Sequence, residues 1–453
     1  MDPLSLKDIA QMAGAEIVRG SGDVVVSRVG KDTRAIQSGD LYVALRGELF
    51  DGNIFAADAA SRGAAAVLLD SPEAVGAVPE GFPVLLAADG LAALTRLAAA
   101  WRARLNPKVL CITGSNGKTS TKDFAAAVLA ARFRVTKTQG NLNNHIGLPL
   151  SILAACGSDT AAVWEIGMNH PGEVAPLSAL ARPDAAIITN IGVAHIEHMK
   201  SRAAIAIEKG ALAEAVPPSG FVVLPASDEE SEGIAARCKA RVIRTGPAAG
   251  DITADSIVES EDSCAFVLHA GGKSFAARIP CHGAHMVSNA LLAVAAGMEF
   301  GVPAQDAVTA LGRVQLAGGR LERRTIRGIS FLDDTYNASP DSMVAALATL
   351  RALPGSGHRI AVLGRMGELG DHAAEGYRRT GLAAGKYADI LVAVGPETAP
   401  LAEAAREAGL GRIHEVEDAA AAARMLARLA KPGDIVLVKG SRAAQMEKVL
   451  KNF

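Results

Sequence analysis

Residues 108–132 carry the pattern that most restricts how this chain can fold. Lys108-Val-Leu-Cys-Ile-Thr113 is a short apolar run. Gly114-Ser-Asn-Gly117 follows, then Lys118-Thr119 and an alanine-rich stretch to Arg132. Strand, glycine turn and helix in that order make a phosphate-binding loop of an α/β sheet. Glycines let backbone N–H groups crowd around a phosphate, and the helix N-terminus adds a favourable dipole. Lys118 is placed to reach terminal phosphates, and the Thr119 hydroxyl to touch Mg²⁺. The usual pattern has a glycine five residues before Gly117, where this chain has Ile112, so the loop is a shortened GxxGKT. The phosphate candidates are Thr113, Gly114, Ser115, Asn116, Gly117, Lys118 and Thr119. Motors, kinases, GTPases and ligases all use such a loop, so the reaction must be read elsewhere.

The chain has 453 residues, enough for about three domains. Forty-six basic and 48 acidic side chains leave a net charge of −2. That balance argues against a dedicated nucleic-acid binder, and no nucleic-acid partner is expected. Five cysteines form no CxxC pair and no metal spacing; they read as buried free thiols of a reducing cytosol. No signal peptide and no apolar stretch long enough to span a membrane are visible, so a cytoplasmic location is expected.

Residues 1–84 read as short strands and turns with two helical pieces, including a strand at Leu41–Leu45 and a helix at Ala56–Arg62. From residue 85 to 313 the loop is followed by strands at Ala161–Ile166 and Ala185–Thr189. Beta-rich text runs from Phe221 to Arg278, and a helix covers His285–Gly297. After Ala317-Gly-Gly-Arg320, residues 314–453 alternate strand and helix. Apolar runs at Arg359–Leu363, Ile390–Val394 and Ile435–Val438 are separated by helices at Ala399–Ala408 and Ala419–Leu429. That alternation predicts a parallel sheet with helices on both faces.

Further residues accumulate into a family resemblance over essentially the whole chain. They begin with Asp32-Thr-Arg34, Gly39–Leu45 and Asp51-Gly52, then Asn141-Leu-Asn-Asn144 with Gly147 and Pro149. Trp164-Glu165 through Glu173, Thr189-Asn-Ile-Gly-Val-Ala-His195 and Lys209-Gly-Ala211 follow. His285-Met-Val-Ser-Asn289, Arg320, Asp333-Asp-Thr-Tyr-Asn-Ala-Ser-Pro340, Leu363–Gly370 and Val438-Lys-Gly-Ser-Arg442 complete the set. In this order they resemble the Mur ligases, ATP-dependent amide-forming enzymes of peptidoglycan precursor synthesis. The resemblance implies three α/β domains: a small UDP-binding domain (1–84), a central P-loop-type parallel-sheet ATPase domain (85–313) and a C-terminal Rossmann-like domain (314–453).

The third domain most resembles the branch whose acceptor is D-alanyl-D-alanine; the alternative is a diaminopimelate- or lysine-adding member. The implied reaction joins D-alanyl-D-alanine to UDP-N-acetylmuramoyl-tripeptide, with ATP and Mg²⁺, in a monomer. By the same resemblance Thr33, Arg34, Asn141, Asn144, Tyr336 and Asn337 bind substrate, Thr33 and Arg34 at its UDP part. Asn289 and Asp334 meet the nucleotide, and Arg320 reaches its phosphates. Thr119, Glu165, His195 and a carbamylated Lys209 place the metal. Lys118, Lys209 and Arg320 form the implied catalytic set. Departures from the family pattern are Thr33 for Ser, Asn53 for His, Met286 for Asn, Ser339 for Asn, and Arg365 for Asp. Lys209-Gly-Ala also stands where KGE is usual.

Overall fold

A computed structural model describes residues 1–47 and 50–453. The chain separates into two compact units, the first made of residues 1–111, 133–168 and 173–184, the second of 112–132, 169–172 and 185–453.

In the first unit a five-stranded sheet has the order Glu16–Arg19, Val84–Leu86, Ala66–Leu69, Asp40–Val43, Arg28–Gly30. The first pair is antiparallel and the rest are parallel. Ala66-Val-Leu-Leu69 is buried at every position, as a parallel strand covered on both faces must be. Asp40 is equally buried, and its carboxylate is held by the Arg28 guanidinium and the Gln37 N–H. Helix Gly90–Arg104 starts where Asp89 accepts from the Ala92 N–H at 2.7 Å. In the same unit Val135–Lys137 pairs in parallel with Ala161–Glu165.

The second unit opens with the glycine turn and helix Lys118–Ala130. Strands Ala185–Ile188, Phe221–Pro225, Arg241–Gly246 and Ile252–Glu259 pair in parallel in chain order. Cys264–Ala270 and Lys273–Ile279 then add an antiparallel meander. The C-terminal part forms a six-stranded sheet in the order Glu322–Ile326, Ile329–Asp334, Ile435–Lys439, Arg359–Leu363, Ile390–Val394, Ile413–Val416. The expected parallel sheet is present, but Glu322–Ile326 joins its edge antiparallel, because a two-residue turn connects it directly to the next strand. Phe331, Ile360, Val362, Val392, Val436 and Val438 form its core with Ala422 and Leu426 of helix Ala419–Leu429.

All five cysteines are free. Only Cys111, Cys264 and Cys281 are buried; Cys156 and Cys238 are half-buried, a correction to the expectation of five buried thiols. Among the described residues no helix is long and apolar enough to cross a membrane.

Candidate active site

The glycine turn of the second unit is a braced cradle. Gly114 has φ +146° and a Cβ there would lie 1.9 Å from Thr189 Oγ1. Gly117 has φ +79° and a Cβ would lie 2.7 Å from Asn289 Oδ1. Only glycine fits either place. The bracing comes from the segment after strand Ala185–Ile188. Ser115 N donates to Asn190 O at 2.9 Å, Asn116 N to Asn190 Oδ1 at 3.0 Å, and Gly192 N to Ser115 Oγ at 2.8 Å. Thr189 Oγ1 and Asn190 Nδ2 both donate to Asn116 O. Lys118 Nζ donates to Gly114 O at 2.8 Å, so its ammonium lies over the loop. Helix Lys118–Ala130 has no side-chain cap on its first N–H groups. The turn thus presents backbone donors, a helix dipole and a cation together, the requirements for binding phosphate.

Residues from the C-terminal part of the same unit reach this turn. Arg320 Nη2 donates to Thr119 Oγ1 at 3.0 Å, and its guanidinium carbon lies 4.1 Å from the centre of the Tyr336 ring. Arg320 Nε is buried and has no hydrogen-bond partner among the described residues. Ser339 Oγ donates to Asn116 Oδ1 at 2.9 Å while also capping helix Pro340–Ala352, which gives the Ser-for-Asn departure a direct use. Asp341 Oδ2 accepts from Val193 N at 3.1 Å. Asp334 pairs with Lys439 Nζ at 2.6 Å, and the same ammonium donates to Asn337 O.

Lys209 lies on helix Arg202–Glu214, fully buried, and its Nζ has no hydrogen-bond partner among the described residues. Burial and then the Lys118 charge drive its pKa well below the ordinary lysine range; Glu208 opposes them only in part. The site therefore disfavours the charged ammonium. His195 has φ +64° and its Nδ1 pairs with Glu368. That hydrogen bond holds the Glu368 carboxyl below the usual range. His198 stacks with His170 at 4.5 Å between centroids. Among the described residues no three His, Cys, Asp or Glu side chains gather into a metal-holding group.

Asn289 is buried against Gly117, and Met286 Sδ lies 3.8 Å from its Nδ2. The thioether is a weak acceptor where an amide is usual. Arg365, the charge reversal, is exposed and lies 3.7 Å from Glu397.

The first unit holds the remaining predicted residues. Glu165, at the end of its strand, is buried; Asn143 Nδ2 donates to its Oε1 at 2.8 Å, and its own N–H donates to Thr138 Oγ1. Asn144 Oδ1 accepts from Ile146 N and Gly147 N, closing the turn, and Asn141 is exposed. Gly147 is required there, since a Cβ would lie 2.4 Å from the Leu142 backbone. Thr33 is buried, while Arg34 projects outward and forks onto Asp32, whose carboxyl falls to about 2. Asn53 bridges Asp51 and Asp70, so the residue standing for the usual His is a structural tie.

Asn190 and Asn143 were not among the predicted residues. Their only sequence signal was their place inside Thr189-Asn-Ile-Gly192 and Asn141-Leu-Asn-Asn144.

Three family models match the chain in order: the Mur ligase family catalytic domain at residues 25–103, the Mur ligase middle domain at 112–297, and the Mur ligase glutamate ligase domain at 319–442. The chain is also 37% identical, over 99% of its length and 98% of the relative's, to the UDP-N-acetylmuramoyl-tripeptide–D-alanyl-D-alanine ligase of Bacillus subtilis strain 168. The chain belongs to the Mur ligase family. Another Mur ligase, the Escherichia coli K12 protein of the same name, is 33% identical over 100% of this chain and 98% of its own. A crystal structure of the Mur ligase MurF from Acinetobacter baumannii superposes with a TM-score of 0.88 at 31% identity, covering 100% and 99% of the two chains. MurF from Thermotoga maritima in complex with ADP gives 0.82 at 27%, covering 94% and 97%.

Proposed function

We propose that this Mur ligase joins D-alanyl-D-alanine to UDP-N-acetylmuramoyl-tripeptide at the expense of ATP, giving the pentapeptide precursor of peptidoglycan. What carries the reading is full-length similarity, at 37% and 33% identity, to proteins named for that reaction. The segment Asp333–Pro340 with Asp341-Ser-Met343 supports the same acceptor.

A carboxylate is a poor acylating agent because its leaving group would be oxide. One carboxylate oxygen of the tripeptide attacks the γ-phosphorus, and the bond from that phosphorus to ADP breaks. The acyl phosphate then meets the dipeptide amine. The amine nitrogen bonds to the carbonyl carbon, the carbon–oxygen bond breaks, inorganic phosphate leaves, and the amine gives up a proton. Lys118, the turn N–H groups and Arg320 offset charge on the phosphoryl group in flight. Asn289 and Asp334 are assigned to the nucleotide, Thr33, Arg34, Asn141 and Asn144 to the UDP substrate, and Tyr336 and Asn337 to the acceptor side. The domain limits 1–84, 85–313 and 314–453 follow this division of labour, and one chain supplies every group named.

The Lys209 amine in its uncharged form would add carbon dioxide and release a proton, and the resulting carbamate is a hard oxygen donor. Thr119, His195 and a carbamylated Lys209 of the second unit are assigned to Mg²⁺, and Glu165 by the resemblance; a buried ammonium would repel the ion. Bound there, Mg²⁺ supplies charge stabilisation for phosphoryl transfer.

ADP release measured with each acceptor in turn tests the assignment. D-alanyl-D-alanine should support turnover, with single amino acids at least about tenfold slower, because the site's polar groups for the missing half would be unpaired. Equal or faster turnover with diaminopimelate or lysine would move the chain to the alternative branch. Turnover with no acceptor would make it a nucleotide switch.

A further inference from the structure

We propose that Tyr336, besides its place on the acceptor side, is a positioning residue for Arg320; the inference rests on the reading of Arg320 as the arginine that meets the phosphoryl group. Arg320 sits between two left-handed residues, Gly319 (φ +70°) and Leu321 (φ +54°), so the backbone turns sharply on both sides of it. Leu321 is a buried non-glycine residue held in that conformation, a strained arrangement that the surroundings must enforce. The side chain that results makes few contacts. One Nη donates to Thr119 Oγ1, Nε is buried without a partner, and no carboxylate pairs with the guanidinium among the described residues. Its remaining support is the Tyr336 ring at 4.1 Å.

That choice of support has a physical reason. A carboxylate would hold the guanidinium but would also occupy its donors and offset its charge, the two properties a phosphoryl group needs from it. An aromatic face attracts the cation through its quadrupole and leaves the in-plane N–H groups unused. The ring is itself fixed to the same turn, because Tyr336 N donates to Gly319 O at 3.2 Å. Ring and guanidinium are therefore attached to one turn, and the ring face sets the plane in which Arg320 presents its donors.

The test uses the full chain with ATP, Mg²⁺ and both substrates. Tyr336→Leu should lower kcat about tenfold, as expected for losing a desolvated cation–π contact. KM for the UDP substrate should stay within about twofold. Tyr336→Phe, which keeps the ring face, should recover most of the lost kcat. The double variant Arg320→Ala/Tyr336→Leu should be no slower than Arg320→Ala alone, since the ring has nothing left to position. Fully additive losses, an unchanged kcat in Tyr336→Leu, or an effect confined to KM for D-alanyl-D-alanine would each overturn the inference. If Arg320→Ala itself keeps full kcat, the reading of Arg320 fails; if only the Tyr336 variants behave otherwise than stated, that reading stands and this inference alone fails.

Discussion

Lys118→Ala is expected to lower ADP release at least about 10³-fold with the fold intact, the scale of losing a cation that stabilises phosphoryl transfer. The ammonium lies over the turn, donating to Gly114 O and Ser115 O. Both contacts hold the ammonium at the turn proposed to take the phosphate. The substitution removes that charge and leaves the glycines and their Asn190 brace in place. Thermal unfolding should therefore match the parent chain, while single-turnover measurements should locate the loss in the phosphoryl step. Near-normal turnover would remove the phosphate-loop assignment.

Lys209→Met should abolish ligation, with activity falling at least about 10³-fold, and should also raise Tm in bicarbonate-free buffer. The two effects have one origin. The native state holds this lysine buried with its pKa well below the ordinary range, whereas the unfolded chain protonates it normally. Between those two pKa values the unfolded state binds more protons, so stability rises with pH across that window. A methionine of similar length removes the penalty. The gain in Tm should therefore be largest at the acidic end of that window and shrink as pH approaches the ordinary lysine pKa. Adding bicarbonate to the parent chain should increase its mass by one carbon dioxide under native conditions. A fully active chain with an unmodified Lys209 would eliminate the carbamate, and a Lys209→Met chain less stable than the parent at pH 7 would contradict the buried-amine account.

Much of the glycine turn was legible because its determinants are local. Two glycines, a lysine and a threonine within seven residues, between a strand and a helix, leave few other folds. The brace was not legible. Asn190 is 74 residues from Asn116, and Ser339 is 223 residues from it, and no periodicity links such positions. The same division holds for the sheets. Fully buried strands such as Arg359–Leu363 and Ile390–Val394 stood out as apolar runs. The edge strands Glu322–Ile326 and Ile413–Val416, with no fully buried position, carry Glu-Arg-Arg and His-Glu and gave no apolar signal. Asn143 was hidden among its neighbours: three asparagines in four residues look alike in sequence, and only the fold shows that this one holds Glu165.

The central claim is that a carboxylate is phosphorylated before an amine captures it. The most direct measurement places heavy oxygen in the terminal carboxylate of UDP-N-acetylmuramoyl-tripeptide and follows it through one round of ligation with ATP and D-alanyl-D-alanine. The account predicts one heavy oxygen atom in each inorganic phosphate released, alongside the pentapeptide-bearing nucleotide. Unlabelled phosphate accompanying that product would mean that the carboxylate never bonded to phosphorus, and would contradict it.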